Sequence, residues 1–352
     1  MLRVYSFEIP FKVPFRFSGS TIEKRKGIIF SMKTENGIFW SEASPLPGFS
    51  TESFEDVRFE AIQIEKWLPI LQADVPPAFT GNETDALKFA LSSLWYSARA
   101  ASEGKSLSKY LNPASLERIP INAAIGIGDE SEVFRYAKAA IQSGFGTLKL
   151  KVGRDFNHEY TLLKKLREYY PSVAIRIDAN QSWEPEEALE NLKMLEPLEI
   201  QYCEQPLKVG ENDNLAWLKK NTTQFIAADE SVRCYEDALK LIHEDVVDIL
   251  VLKPTLIGTI EAYKSIVKVA EDAGIEVVTT TTLESGIGRR LVAHLCSTVQ
   301  PVKYANGLAT GGLFEYDLLP DNHLIKNGQY FIYEIENNPS VNTEHLLLIA
   351  ES

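Results

Sequence analysis

Short runs of alternating apolar and polar residues, followed by stretches with helical spacing, predict that the first third of the chain forms strands and then helices. The second and third runs meet at Asn36-Gly37, a dipeptide typical of two-residue hairpin turns. Strands that precede helices indicate a small α+β unit over residues 1–115. The predicted strands are 2–13, 27–34 and 37–44, and the predicted helices are 54–73 and 84–103.

From residue 116 to residue 312 the pattern changes to strict alternation of short β-rich runs and helical stretches. Repeated strand–helix units predict a parallel sheet, and eight runs in roughly 190 residues favour a closed barrel over an open sheet. No G-x-G-x-x-G motif follows the first run, which argues against a dinucleotide-binding fold. The predicted strands are 120–126, 146–152, 173–178, 199–204, 224–229, 246–252, 275–281 and 302–306.

The C-terminal segment 313–352 carries one further strand pattern, at residues 329–335. We expect this segment to pack back on the N-terminal unit. The sequence therefore predicts three parts: a cap over 1–115, a barrel with the active site over 116–312, and a tail that completes the cap.

Composition and charge exclude several classes of protein. The chain of 352 residues is 45% hydrophobic and 24% charged, which is typical of a globular protein. A formal charge of −13 disfavours binding to nucleic acid or to an anionic membrane surface. No apolar run is long enough to span a membrane, and the first fifteen residues lack the pattern of a signal peptide. Three widely spaced cysteines fit reduced thiols, so we expect a cytoplasmic protein.

Charged residues stand where five of the predicted strands end. Consecutive members are 24 to 27 residues apart, which is the length of one strand–helix unit. In a barrel this spacing places all five on the rim at the C-terminal ends of the strands, where active sites of this architecture lie. Side chains alternate along a strand, so Lys149 is expected to face the same way as Lys151, two residues on. For the same reason Arg176 and Asn180 are expected to face the same way as Asp178. The five residues are Lys151, Asp178, Glu204, Asp229 and Lys253.

Three carboxylates on neighbouring strands need a cation to remain ionised together. Hard oxygen ligands select Mg²⁺, for which Mn²⁺ can substitute. The lysines on either side would have lowered pKa values, because the metal and the other ammonium groups repel their charged forms. A single acid at a strand end usually caps a helix, but five charges in register are costly unless they are paired or bound to metal.

Other residues near the predicted rim have open roles. Arg176 and Asn180 are expected either to contact a substrate or to brace their neighbours. Glu230, Ser231 and Glu284 are equally compatible with a site and with helix caps. We interpret His294 as a packing residue of a helix, because the histidines show no ligand spacing.

The sequence LESGIGRR, residues 283–290, ends a β-rich run and begins a helix. Backbone N–H groups at a helix N-terminus attract anions, so Ser285, Gly286 and Ile287 are predicted to bind a substrate carboxylate. The alternative is an ordinary glycine-rich turn.

The ordered lysines and acids resemble those of the enolase superfamily, in its muconate lactonizing subgroup. The resemblance covers essentially the whole chain. It implies an N-terminal α+β capping domain and a modified TIM barrel with seven βα units and an eighth strand, (β/α)7β. It further implies removal of the proton α to a metal-bound carboxylate, giving an enediolate. The implied catalytic residues are Lys149, Lys151 and Lys253, and the implied Mg²⁺ ligands are Asp178, Glu204 and Asp229.

Within this subgroup the strings RIDANQSW and GLATGGLFEYDLL resemble those of dehydratases, which are lyases. Dipeptide epimerases carry a D-x-D pair at the eighth strand to bind the substrate ammonium, but residues 305–312, ANGLATGG, contain no acid. An N-acylamino acid racemase, a cycloisomerase and an inactive barrel that only binds a metabolite or partner remain as alternatives. The expected partner is a small-molecule carboxylate; the oligomeric state stays open, with a homo-oligomer among the alternatives. The implied substrate contacts are Ser18, Phe49, Arg176, Asn180, Ser285, Gly286 and Ile287.

Overall fold

A computed structural model describes residues 1–17, 20–126, 128–337 and 339–352. Its N-terminal part is built on an antiparallel sheet with strand order β14-β1-β2-β3. β1 spans Leu2–Phe17, β2 spans Ser20–Thr34 and β3 spans Gly37–Ala43. The predicted hairpin between β2 and β3 is confirmed, since Thr34 pairs with Gly37. β2 begins before the predicted strand. The prediction missed its first half because the charged segment EKRK does not show an alternating apolar pattern.

In the described part of the chain four helices follow this sheet. The predicted helix 54–73 is in fact two, because Gln63 has a non-helical backbone between them. This break lets both pieces bury apolar side chains, Val57 and Ala61 in the first and Trp67 and Leu71 in the second. The helices are α1 (Phe54–Ala61), α2 (Ile64–Gln72), α3 (Asp85–Ser102) and α4 (Leu107–Leu111). α1 and α3 pack against the strands of the sheet, and α2 and α4 pack against α3.

Seven parallel strands form the barrel sheet, in the order β11-β10-β9-β8-β7-β6-β5. A separate short strand, β4 (Arg118–Pro120), precedes them. The barrel strands are β5 (Ala123–Ile125), β6 (Thr147–Lys151), β7 (Ala174–Asp178), β8 (Cys203–Glu204), β9 (Ile226–Ala228), β10 (Ile249–Leu252) and β11 (Glu276–Thr279).

A helix follows each of these strands and covers the outside of the sheet. The helices are α5 (Glu130–Gln142), α6 (Phe156–Tyr169), α7 (Pro185–Leu195), α8 (Asn212–Asn221), α9 (Tyr235–His243), the short α10 (Pro254–Ile257) with α11 (Ile260–Asp272), and α12 (Gly286–Cys296).

The two edges of the curled sheet are joined by residues 306–307. Asn306 forms a parallel bridge with Ile121, and Gly307 forms one with Thr280. These residues therefore occupy the position of an eighth strand, which confirms the predicted fold class of a cap followed by a (β/α)7β barrel.

The tail returns to both parts of the molecule. β12 (Ile325–Lys326) and β13 (Gln329–Phe331) form a small sheet with β4, and β14 (Leu346–Glu351) pairs with β1. The strand predicted at 329–335 is thus shorter, because a 3₁₀ turn begins at Ile332, and its partner is β4 rather than the cap. The cap contact comes from β14 instead.

A separate apolar cluster fixes the cap over the barrel rim. It joins side chains of β1 and β2 to the loop before α12 and to the tail. Its buried members are Phe7, Ile9, Phe11, Ile29, Leu46, Leu283, Ile287, Phe314, Leu318 and Leu319. None of the helices among the described residues has both the length and the apolar character of a membrane span.

Candidate active site

A cavity of about 310 Å³ lies at the C-terminal ends of the barrel strands, beneath the cap. This volume suits a small-molecule ligand. The cap contributes Phe15, Leu46 and Phe49 to its wall. The charged lining residues are Lys149, Lys151, Arg176, Asp178, Glu204, Asp229 and Lys253, so the structure brings all five strand-end residues and two of their neighbours into one cavity.

The register of the strands explains this convergence. Lys151 pairs with Asp178, and Asp178 pairs with Glu204, so three consecutive strands end in charges at one level. β6 and β10 are four positions apart in a barrel of eight positions, so Lys151 and Lys253 stand on opposite sides of the cavity.

Lys149 neutralises two of the carboxylates. Its Nζ lies 2.9 Å from Oδ2 of Asp178 and 2.5 Å from Oε1 of Glu204. Burial favours the neutral amine, but these two carboxylates raise the pKa of Lys149 above its ordinary value. Burial likewise opposes ionisation of Asp178, but Lys149 and Lys151 hold its pKa below the ordinary value. Lys149 is therefore a fixed cation, which does not suit it to act as a base.

Lys253 forms a buried ion pair with Asp229. Burial is the main reason that the pKa of Lys253 falls to about 7; Glu204 opposes this shift, and the charge of Lys149 contributes to it. An aromatic ring of the cap lies near each of the two facing lysines: the Phe49 centroid is 5.1 Å from Nζ of Lys253, and the Phe15 centroid is 5.9 Å from Nζ of Lys151. Each ring is within the distance at which an aromatic face attracts an ammonium group.

The three carboxylates have the oxygen-donor chemistry that Mg²⁺ prefers. Each carboxylate forms an ion pair with a lysine. Lys149 pairs with Asp178 and Glu204. Lys253 pairs with Asp229. Within the part of the chain that the structure describes, no three His, Cys, Asp or Glu side chains are already grouped for one ion. The three carboxylates nevertheless fit a divalent cation, because buried carboxylates at adjacent strand ends require positive charge nearby. The lysine side chains are flexible and can move away from the carboxylates when an ion binds.

Arg176 and Asn180 form hydrogen bonds with residues around the site. The Arg176 guanidinium is buried and donates to Oη of Tyr202 at 2.6 Å and to the carbonyl oxygen of Ala305 at 2.9 Å. Nδ2 of Asn180 donates to Oε1 of Glu230 at 3.0 Å. Both residues also line the cavity, so they remain candidates for substrate contact.

The structure does not place the predicted anion site at the start of α12 in the cavity. Ser285 N and Gly288 N each donate to the carboxylate of Glu42 at 3.0 Å, and Gly286 N donates to Asp317 at 2.7 Å. The backbone of Ile287 donates to Oγ of Ser285. These N–H groups already have acceptors within the protein, two acids and one serine hydroxyl. Ser285, Gly286 and Ile287 also do not line the cavity. Ser18, predicted as a cap contact, lies outside the described residues.

Sequence reasoning missed Gln205, which positions Asp229. Its side-chain oxygen accepts from the backbone N–H of Asp229 at 3.0 Å and of Ser231 at 3.1 Å. The residue has a left-handed backbone, with φ of 39°. The signal available in the sequence was its place directly after Glu204, at the end of a predicted strand.

Comparison with known proteins identifies the family. Residues 132–334 match the enolase C-terminal domain-like family, and residues 1–80 match the MenC N-terminal domain. The chain belongs to the enolase superfamily, and the charged cavity at its barrel rim is that of an enzyme of this superfamily.

Similar proteins differ in their reactions. The chain is 28% identical over 329 residues to the o-succinylbenzoate synthase of Pasteurella multocida, with 90% of this chain and 91% of the relative covered. It is 26% identical over 327 residues to the hydrophobic dipeptide epimerase of Enterococcus faecalis, with 89% and 90% covered. The dipeptide epimerase of Cytophaga hutchinsonii, solved with Mg and the dipeptide D-Ala-L-Val, superposes with a TM-score of 0.80 at 25% identity, covering 93% of this chain and 91% of that chain. Overall similarity therefore does not distinguish between these reactions.

Proposed function

We propose that this protein is an o-succinylbenzoate synthase, a Mg²⁺-dependent lyase of menaquinone biosynthesis. It would convert 2-succinyl-6-hydroxy-2,4-cyclohexadiene-1-carboxylate to 2-succinylbenzoate and water by syn elimination. The observation that carries the proposal is the contrast between the two ends of the cavity. Lysines and acids crowd one end, whereas the eighth-strand end is lined by Gly307, Ala309 and Thr310, which carry no charge.

The charge balance supports a substrate with two carboxylates. Four cations face three carboxylates among the described residues that line the cavity, in a chain whose formal charge is −13. A bound divalent ion would add to this local excess of positive charge. The site is therefore suited to attract an anionic ligand that the rest of the surface repels.

Asp178, Glu204 and Asp229 would hold the Mg²⁺ ion. When bound, the ion supplies Lewis-acid stabilisation of negative charge on the substrate carboxylate. This assignment draws support from the solved dipeptide epimerase complex with Mg.

Lys151 is the base best placed for the proton transfers. Of the three cavity lysines, Lys149 and Lys253 are the ones in ion pairs with described carboxylates. The amine of Lys151 would take the proton from the ring carbon that bears the carboxylate. The resulting ammonium returns a proton to the hydroxyl oxygen on the neighbouring carbon, the C–O bond breaks, and water leaves as the ring becomes aromatic.

Lys253 acts from the opposite side as a counter-charge. Its ammonium would lie near the ring and the developing negative charge, where a fixed cation in a dry cavity is most effective. Phe15, Leu46 and Phe49 of the cap help to exclude water from this space.

N-acylamino acid racemisation is the second candidate. It also begins by removing the proton α to a carboxylate. Its substrates carry no free ammonium group, so they do not need an acid at the eighth-strand end of the cavity. The specific observation in its favour is the pKa of Lys253, lowered to about 7, which suits a second acid/base group. Dipeptide epimerisation is less favoured, because its ammonium group would find no acid beside Gly307 and Ala309.

The test is direct turnover by purified protein with Mg²⁺ and the cyclohexadiene substrate, followed by the absorbance of the aromatic product. We expect kcat/KM of at least ~10⁴ M⁻¹s⁻¹, the lower end of the usual range for enzymes. Excess chelator should abolish the reaction, and added Mg²⁺ should restore it. Glu204→Gln should lose several orders of magnitude, whereas Glu199→Gln, a nearby residue outside the cavity lining, should not. Full activity in excess chelator, or no aromatic product with Mg²⁺, would contradict the proposal.

A further inference from the structure

Arg25 of the cap strand β2 holds two loops together at the cavity mouth. Its side chain is 1% exposed, and its partners are backbone carbonyl groups. On the cap side it donates to the carbonyl oxygens of Ser44 and Pro45. On the barrel side it donates to those of Leu283 at 3.0 Å and Thr282 at 3.2 Å. One guanidinium group thus joins the cap to the loop after β11.

Glu42 of β3 makes a second connection between the same parts. It is fully buried, and its carboxylate accepts from Ser285 N and Gly288 N, both at 3.0 Å. Oγ of Ser44 donates to the same carboxylate at 2.7 Å, which ties the cap loop to this contact. The negative charge at the N-terminus of α12 is also favourable for the helix dipole.

The two connected loops carry side chains that line the catalytic cavity. The cap loop after Ser44 carries Leu46 and Phe49, and the barrel loop carries Leu283. The distance between these apolar walls therefore depends on the Arg25 and Glu42 contacts, although neither residue lines the cavity.

We propose that Arg25 and Glu42 are positioning residues that form a latch between cap and barrel, and that this latch sets the affinity for substrate and not the rate of the chemical step. It positions the apolar walls before substrate arrives, which lowers the cost of ordering them on binding. Lysine cannot replace Arg25, because a single ammonium group does not present the planar fork that reaches carbonyls on both loops. The prediction for affinity rests on the proposed function, whereas the prediction for loop mobility does not.

The test combines steady-state kinetics with hydrogen exchange on the full chain, comparing wild type, Arg25→Lys and Glu42→Gln. We expect KM to rise about tenfold while kcat changes less than about threefold. Without substrate, exchange should accelerate at the amides of Ser285 and Gly288 and across residues 44–50. Glu42→Gln keeps the size of the side chain and serves if Arg25→Lys does not fold.

Two matched controls separate this role from a loss of stability. Arg167 also donates to four backbone carbonyls, including those of Leu198 and Val173, but it lies away from the cavity. Glu83 is a buried acid of the cap that accepts from Thr80. Arg167→Lys and Glu83→Gln should leave KM and the exchange of residues 44–50 unchanged.

The outcomes are distinct. If KM stays constant in both latch variants, or if kcat falls alone, the proposed effect on affinity is wrong. Unchanged exchange at residues 44–50 in both variants would overturn the latch itself. If wild-type protein does not turn over the cyclohexadiene, the proposed function fails, and the exchange data alone decide whether the latch exists.

Discussion

Lys149 and Glu204 form an ion pair across the strand that separates them, with 2.5 Å between Nζ and Oε1. The same ammonium group contacts Asp178 on that intervening strand, β7. One side chain therefore balances two buried acids, and its raised pKa keeps it charged. This arrangement separates Lys149 from the two lysines that face each other across the cavity.

We expect Lys149→Met to lower the free energy of unfolding by about 3–5 kcal/mol, because it leaves buried carboxylates without their cation. Mg²⁺ should then stabilise the variant more than it stabilises wild type, since the ion replaces the missing charge. Thermal unfolding with and without Mg²⁺ measures both effects. Lys165→Met, which removes the surface pair with Glu130, is the control and should change stability by less than about 1 kcal/mol. Equal Mg²⁺ effects in variant and wild type would contradict this role.

The two facing lysines should respond differently to arginine. Lys151→Arg should abolish dehydration, because arginine keeps the charge but cannot accept a proton at neutral pH. Lys253→Arg should retain more activity, because a counter-charge survives the change. The measurement is kcat for both variants at saturating Mg²⁺. Equal losses would indicate acid/base work by both lysines, as a two-base racemase requires.

Gly286 should not tolerate a side chain. A Cβ atom there would lie 1.8 Å from the backbone carbonyl oxygen of Leu319, which cannot move away easily. We expect Gly286→Ala to destabilise the protein by about 3 kcal/mol in urea unfolding. Gly312→Ala is the control, because nothing lies within 4 Å of its Cβ position. A stable Gly286→Ala protein would show that the tail does not pack on α12 as described.

His294 should make stability depend on pH. Burial, together with the positive charge of the neighbouring Arg290, lowers its pKa from 6.5 to about 4. Between these values the unfolded chain binds more protons than the folded chain, so stability falls as the pH falls from 6.5 towards 4. We expect this group to contribute about 2 kcal/mol of the loss between pH 7 and pH 5. Unfolding of wild type and His294→Gln at both pH values tests this, and an identical pH dependence would contradict it.

The barrel and the members of its charged cavity could be predicted because each strand is a short apolar run with a definite end. β7 spans Ala174–Asp178 where 173–178 was predicted, and its last residue is the charge that faces the cavity. The regular spacing of these strand ends predicts the order of the strands, because each strand–helix unit advances one position around the barrel.

Contacts between distant segments could not be predicted in the same way. The N-terminus of α12 has the local pattern of an anion site, but its acceptor, Glu42, is 243 residues from Ser285 in the sequence. The pairing of Lys253 with Asp229 likewise depends on side-chain geometry that strand spacing does not contain. Local pattern therefore located the groups, whereas tertiary packing decided their partners.

The central claim is that this cavity dehydrates a succinylated ring, and the most direct test compares two reactions in one preparation. Purified protein with Mg²⁺ is assayed for dehydration of the cyclohexadiene and for racemisation of N-succinylated amino acids. We expect a kcat/KM for dehydration at least about tenfold above that for racemisation, a difference of about 1.4 kcal/mol in transition-state binding. Racemisation that runs orders of magnitude faster than dehydration would contradict it.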